Sequence, residues 1–227
     1  FPAESKLFGK ADVISSSFLY KKENKQASQS KVLIFNKELK VMSSNLIDIR
    51  KHNYKSTIPI TINKKSLNIL KKLQNKFPSW EKIENEHNEI WSGREIDETQ
   101  ILKRLSTKSD GLGFYKGKMI KRFQVLEDPK LFFKDQNFRI PKSCFFKRIA
   151  WRDVSRPTQH RRMISTIIPK NTIAGNSLNV VYYKDNDFKT LNSLLCLMNS
   201  VCFEFQIKSL LSTGHISLST LRLAFFS

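Results

Sequence analysis

RRMISTIIPKNTIAGNSLNVVYYKDNDFKTLNSLLCLMNSVCFEFQIKSLL, residues 161–211, holds two β-rich runs followed by a long apolar stretch with helical spacing. RRMISTIIPK (161–170) and SLNVVYYK (177–184) are rich in β-branched and aromatic residues, which pack well on a pleated surface, so both read as strands. Asp187 suits the N-cap of the segment that follows, because a short carboxylate can accept from the first unpaired helical N–H groups. Phe188, Leu191, Leu195, Met198, Cys202 and Phe205 then recur at helical spacing, with Leu194 and Val201 widening the stripe. This predicts one long buried helix near 187–212, ended by Gly214, with Ser217 capping a further short helix. Strands followed by a buried helix imply an α+β fold, a mixed or antiparallel sheet with flanking helices.

Upstream, the residues from FYKGKMIKRFQVL (114–126) onward favour strands, with loops at EDPK (127–130) and IPKSC (140–144). SDGLG (109–113) reads as a turn and Glu95 to Leu105 as a helix. WEKIENEHNEIW (80–91) places Trp80 and Trp91 as buried anchors. Asn63 caps a basic amphipathic helix, NKKSLNILKKLQNKF, with Leu67, Leu70 and Leu73 on one face and Pro78 after its end. STIPITI (56–62) is extended, VLIF (32–35) is a strand, and KKENKQASQSK (21–31) is an exposed loop. The chain starts at Phe1 without a methionine and stops at LAFFS, and it reads as a fragment of something longer.

Hydrophobic residues make up 40% of the 227 and aromatics 11%, enough for a real core. The formal charge of +20 favours a polyanionic partner, nucleic acid or an anionic surface. It is unevenly placed: residues 115–162 hold 14 basic and 4 acidic side chains, whereas residues 163–227 hold 5 and 3. A basic block beside near-neutral apolar sequence is the pattern of a binding face on a folded scaffold. No run of 18 apolar residues is present, so no membrane partner is expected. Cys144, Cys196 and Cys202 fit no metal spacing and read as buried, reduced thiols of a cytosolic protein, giving a cytoplasmic location.

Within the basic block, RIAWRDVSRPTQHRRM (148–163) has five arginines and no lysine. Arginine is a planar fork that engages phosphate and guanine edges in a two-pronged way that an ammonium cannot. Arg148 and Arg152 would share one face of a strand, and Arg156, Thr158, His160, Arg161 and Arg162 crowd a loop around Pro157. In YKGKMIKR, Lys116, Lys118, Lys121 and Arg122 surround Gly117, which lets a phosphate approach the backbone. Ser212, Thr213 and His215 flank Gly214 and are placed to touch phosphate if that loop lies beside the basic block. Catalytic signals are weak: the chain has no phosphate-cradling glycine loop and no HExxH, and His52, His87, His160 and His215 are scattered. EIDE (95–98) and EDPK (127–130) hold clustered acids of the kind that bind magnesium in nucleases, or that simply face solvent.

WSGREID (91–97), FYKGKMIKRF (114–123), RIAWRDVS (148–155), RRMISTIIPKNTIAGNSLN (161–179) and LLSTGHISLSTLR (210–222) occur in this order. Together they resemble the C-terminal target-recognition region of adenine-specific DNA methyltransferases from type II restriction–modification systems, with the TaqI-like specificity domain as nearest module. The specificity subunits of type I systems are distantly similar. The resemblance covers residues 77–222, making 77–227 a DNA target-recognition domain and 1–76 a linker or extension from a catalytic domain. It implies an α+β domain that grips double-stranded DNA from the major-groove side. A Rossmann-like methyltransferase domain elsewhere in the same chain would bind S-adenosylmethionine and methylate a flipped adenine, with magnesium if a nuclease is also joined. The Asn-Pro-Pro-aromatic and glycine-rich motifs of that chemistry do not occur in these 227 residues, so no catalytic residue and no cofactor are expected within them. The resemblance places Lys116, Lys118, Arg122, Arg148, Arg152, Arg161, Arg162, Ser212, Thr213 and His215 in its blocks, and suggests an ion pair between Arg94 and Asp97. Two alternatives stay open: a magnesium-dependent nuclease using EIDE or EDPK, and a basic nucleic-acid-binding module without sequence specificity.

Overall fold

The computed structural model describes residues 29–48, 64–86, 90–155, 159–184, 187–211 and 214–226, with the single positions 17 and 19. The expected extended segment 56–62, the Asn63 cap, His52 and His87 lie outside these residues. The α+β class is as expected, with helices beside antiparallel and mixed sheets.

Strands β1 (Gln29–Phe35) and β2 (Val41–Asp48) form an antiparallel hairpin. VLIF lies in β1, but pairing begins at Gln29, so the end of the expected loop 21–31 is strand. Helix α1 (Lys64–Lys76) buries Leu70 against Leu210 and Phe225, with Leu73 and Phe77 packed alongside. The expected boundary after residue 76 thus falls at the end of a helix that packs on the rest of the molecule. Helix α2 (Trp80–Glu86) buries Trp80, whose indole Nε1 donates to Ser92 Oγ at 3.2 Å.

The central sheet has four antiparallel strands in the order β10 (Ser165–Ile168), β9 (Arg148–Arg152), β12 (Leu178–Tyr183) and β3 (Ile90–Gly93). Trp91 on the β3 edge is 39% exposed, contrary to expectation. Its ring lies over Gly93, where an added Cβ would stand 2.7 Å from a ring carbon, so glycine makes room for the indole at the surface.

One face of this sheet carries Ile149, Trp151 and Val181 against helices α4 (Phe188–Met198), α5 (Val201–Leu210) and α6 (Leu218–Leu223). The caps Asp187 and Ser217 act as expected: Asp187 accepts from Lys189 and Thr190 N–H, and Ser217 from Thr220 N–H. The single long helix is instead two. Asn199 turns its side chain onto the sheet, its Nδ2 donating to Ser165 O (3.0 Å), Ser165 Oγ (2.8 Å) and Leu195 O (3.1 Å). Ser200 then caps α5 by accepting from Phe203 N–H at 3.1 Å. Side chains that bond locally to backbone in this way compete with helix continuation. The break also resets the buried face. Leu191, Leu194, Leu195 and Met198 point inward from α4, but Phe203 and Ile207 do so from α5, leaving Val201 and Cys202 exposed. Phe188 is 57% exposed.

The other face carries Ala150, Leu178, Val180 and Ile168 against Tyr115, Met119, Ile120 and Ala174. These come from β5 (Leu112–Tyr115), a 3-10 turn at Gly117–Met119, β6 (Ile120–Lys121) and β11 (Thr172–Ala174). Strand β6 forms a hairpin with β7 (Gln124–Val125). A second, mixed sheet runs β11–β5–β8–β4, with β4 at Leu105–Ser106, β8 at Phe132–Phe133 and β11 parallel to β5. Its core holds Ile96, Ile101, Phe114, Phe133 and Ile173. The helix expected from Glu95 to Leu105 shrinks to α3 (Glu98–Ile101) and a 3-10 turn at Leu102–Arg104. Glu95 is drawn into the interior before the helix starts, and Leu105 joins β4. Central β9 is therefore covered on both faces, and its arginines meet protein.

Candidate nucleic-acid interface

Side chains alternate along β9, so Arg148 and Arg152 do share a face, but it is the face covered by β6 and the second sheet. Arg148 is 0% exposed. Its Nε and Nη2 (2.7 Å) clamp the two carboxylate oxygens of Glu95, Nη2 also donates to Thr172 O (2.7 Å), and Nη1 faces Phe146 O (3.1 Å) and Pro169 O (3.2 Å). Glu95 is completed by Ser143 Oγ at 2.6 Å and Ala174 N–H at 2.9 Å. A buried charge is tolerated only when paired and hydrogen-bonded like this. The expectation that Arg148 contacts DNA is corrected: it is a core strut.

Arg152 is half-buried, with Nε donating to Gly117 O at 2.7 Å and Nη2 to Ile120 O, which bolts the Gly117–Met119 turn and β6 onto the sheet. Burial pushes its pKa down. Arg162 is 6% exposed and gives Nη2 to Ser155 O at 2.9 Å. Burial lowers its pKa too, opposed by the Glu204 charge; the Glu204 carboxylate also receives the N–H groups of Arg162 and Met163 at 2.8 and 2.9 Å. Both arginines therefore hold loops in place. Arg122, half-buried, donates from Nη2 to Asn199 O at 2.7 Å, tying the β6–β7 turn to the α4–α5 junction. Lys118, Lys121 and His160 are exposed, and Arg161 is half-buried. Arg156, Thr158, Ser212 and Thr213 lie outside the described residues.

The described residues on either side of those positions meet. Val154 forms an antiparallel bridge with His215, Ser155 N–H donates to Gly214 O at 2.7 Å, and Ile216 N–H donates to Asp153 O at 2.6 Å. Gly214 and His215 thus lie beside Val154 and Ser155 of the basic block. Asp153, which sequence reasoning passed over, is the hub: its Oδ2 is 2.9 Å from His215 Nδ1 and 3.9 Å from Arg94 Nη2, and its Oδ1 accepts from Asn179 Nδ2 at 3.1 Å. Arg94 therefore faces Asp153, while Asp97 caps α3 by accepting from Thr99 N–H at 3.0 Å. The bonds from Thr99 hold the Asp97 carboxyl below its ordinary range. Backbone N–H of Asp153 reaches Ser177 O at 3.0 Å, and Ser177 Oγ accepts from Gly117 N–H at 2.8 Å. Lys116 Nζ sits 2.6 Å from Glu98, whose Oε2 accepts from Asn176 N–H at 3.2 Å.

Residues from all five sequence blocks thus meet around Asp153: Arg94, Gly117, Asp153 itself, Ser177 and His215. Arg94 and His215 side chains are 49% and 58% exposed, so the hub presents a guanidinium and an imidazole to solvent on a fixed mount. The GREID and GNSLN blocks were the signal that would have found Arg94 and Ser177. Asp153 carried none, since a carboxylate inside a basic run reads as a mere charge diluent.

The EIDE carboxylates and Glu127 of EDPK are engaged elsewhere. Glu95 pairs with Arg148, Asp97 caps a helix, Glu98 pairs with Lys116 and Glu127 lies 3.6 Å from Lys130. Among the described residues, no group of three His, Cys, Asp or Glu side chains is placed to hold a metal ion. Among them, too, no helix is long and apolar enough to cross a membrane. Cys144 is buried, and burial together with the Glu95 charge pushes its thiol up to about 12; Cys196 and Cys202 are exposed, contrary to expectation. No family model matches the chain, and no curated protein matches it.

Proposed function

We propose that the chain is a double-stranded DNA target-recognition module, working with an adenine-specific methyltransferase domain in a cytoplasmic restriction–modification enzyme. The observation that carries this reading is the convergence on Asp153 of five separated blocks, the same five on which the resemblance rests. The blocks are spread over residues 91–222, and their meeting in the folded chain supports the reading. Exposed Lys118 and Lys121 supply sequence-independent attraction to phosphates and set register. Arg94 supplies a fork suited to the O6 and N7 atoms of guanine, and Asp153 orients the His215 ring beside it. Methyl transfer from S-adenosylmethionine belongs to the partner domain, and base flipping with it; the grip on flanking duplex offsets part of the flipping cost.

A magnesium nuclease built on EIDE has less support, because each of its carboxylates already holds a structural partner. The deciding experiment is a duplex-binding titration over a salt series for the wild type and Arg94→Ala. Binding should weaken steeply with salt, and Arg94→Ala should lose affinity by roughly tenfold while keeping the salt slope within about one unit. Binding insensitive to salt, or metal-dependent cleavage of the duplex by this chain, would overturn the reading.

A further inference from the structure

The β6–β7 hairpin carries a residue that neither its turn nor the core explains. Lys121 pairs with Gln124, so Arg122 and Phe123 form a two-residue turn, and Phe123 has φ 63°. Glycine or asparagine is the ordinary occupant of such a position, because a bulky side chain at positive φ meets its own backbone. Among the described residues the other non-glycine positions at positive φ are Asn171, a type that tolerates it, and Leu39, which is likewise exposed in a hairpin turn but carries no aromatic ring. Phe123 does not repay the strain by burial, since it is 52% exposed. A local rule broken with no gain in packing marks a residue kept for what its side chain does outside the fold.

The mount is firm. Phe123 N–H donates to Ser165 O at 3.0 Å, Arg122 is anchored on Asn199, Arg152 holds Ile120 O, and Leu126 N–H donates to Met119 O at 2.8 Å. Ile120 and Val125 pack into the core below. The backbone that carries the ring is therefore fixed, with the Arg122 guanidinium 5.5 Å from the ring centroid and the exposed Lys121 two positions earlier in the chain. Through Arg152, the last residue of β9, the hairpin is bolted to the chain one position before Asp153, which ties it to the proposed interface.

We propose that Phe123 is a stacking wedge that enters an unstacked base step of duplex DNA, with Lys121 engaging the flanking phosphate. The inference rests on the reading of the chain as a duplex-binding module. Apolar side chains enter stacked steps in this way, and the most deformable steps are pyrimidine–purine. A cation beside an exposed aromatic ring is the pairing such a wedge needs, one group for the base face and one for the backbone.

The test uses the full 227-residue chain, a mixture of duplexes of random sequence, and permanganate, which oxidises thymines that have left the stack. Phe123→Gly removes the ring and suits φ 63°, so its thermal midpoint should equal or exceed that of the wild type. Phe123→Tyr keeps a ring. The wild type should make thymines in the retained duplexes hyperreactive. Phe123→Gly should bind roughly tenfold more weakly without hyperreactivity, and Phe123→Tyr should behave as the wild type. If Phe123→Gly binds and exposes thymines as the wild type does, or if the wild type exposes none, the wedge is overturned while duplex binding stands. If single strands are retained in preference to duplex, or no duplex is retained at all, the functional reading falls and the wedge with it.

Discussion

Replacing Arg148 by alanine separates a core strut from a DNA contact. In the folded chain Arg148 and Glu95 are both 0% exposed in their side chains and joined through two carboxylate oxygens. Removing the arginine leaves a buried carboxylate with the Ser143 hydroxyl, the Ala174 N–H and the Cys144 thiol as donors but no cation, and strips a partner from each of the carbonyls of Phe146, Pro169 and Thr172. Breaking a buried pair from one side typically costs about 3–5 kcal/mol, a large share of the roughly 5–15 kcal/mol that holds a domain folded. With a urea slope of about 2 kcal/mol per molar, the midpoint should fall by roughly 2 M. The pair Arg148→Met with Glu95→Gln discharges the site while leaving an acceptor for Ala174 N–H, so it should recover more than half of that loss. The assay is urea unfolding followed by circular dichroism for wild type, Arg148→Ala and the double variant. An Arg148→Ala protein with the wild-type midpoint but impaired DNA binding would refute the assignment of this arginine to the core.

Three further outcomes follow from the same contacts. Burial pushes the Glu84 carboxyl up, but hydrogen bonds from Arg222 and Ser92 outweigh it and leave its pKa below the ordinary 4.5. A depressed folded-state pKa gives stability that is present above 4.5 and lost as pH falls through the folded value, so Arg222→Ala should start its acid unfolding at a higher pH than the wild type; coincident acid limbs would sink this. Native thiol titration should modify Cys196 and Cys202 quickly and Cys144 only on unfolding, because its thiol is buried and pushed up to about 12; fast modification of all three would contradict the packing around Glu95. Lys118→Ala with Lys121→Ala should lower the salt slope of DNA binding by about two units, as two lost phosphate contacts would, and an unchanged slope would remove both lysines from the interface.

Much of the fold was legible because it depends on short-range chemistry. The β-branched runs at 165–168 and 178–183 became strands of one sheet, one on each side of β9, and Asp187 and Ser217 cap helices as short polar side chains should. The break at Asn199 was hidden, since the apolar spacing runs on past it and the contact with Ser165 that helps to fix it is long-range. The arginine cluster misled for a related reason. Five guanidinium groups in sixteen residues look alike in sequence, yet the position of β9 at the centre of a sheet covered on both faces turned Arg148 into a core residue and left Arg152 half-buried. Their partners Glu95, Gly117 and Ile120 are about 30 to 50 positions away. Asp153 was overlooked for the opposite reason: its value lies in drawing Arg94, Asn179 and His215 together, a long-range fact no local pattern carries.

The central claim is sequence reading by the surface around Asp153, and the measurement that tests it most directly is selection from a pool of randomised duplexes, with sequencing of what the chain retains at several salt concentrations. The account predicts a short enriched motif that persists as salt rises and is lost in Arg94→Ala. Retention without enrichment, or equal retention of unrelated duplexes and single strands, would contradict it and leave a basic surface with no sequence to read.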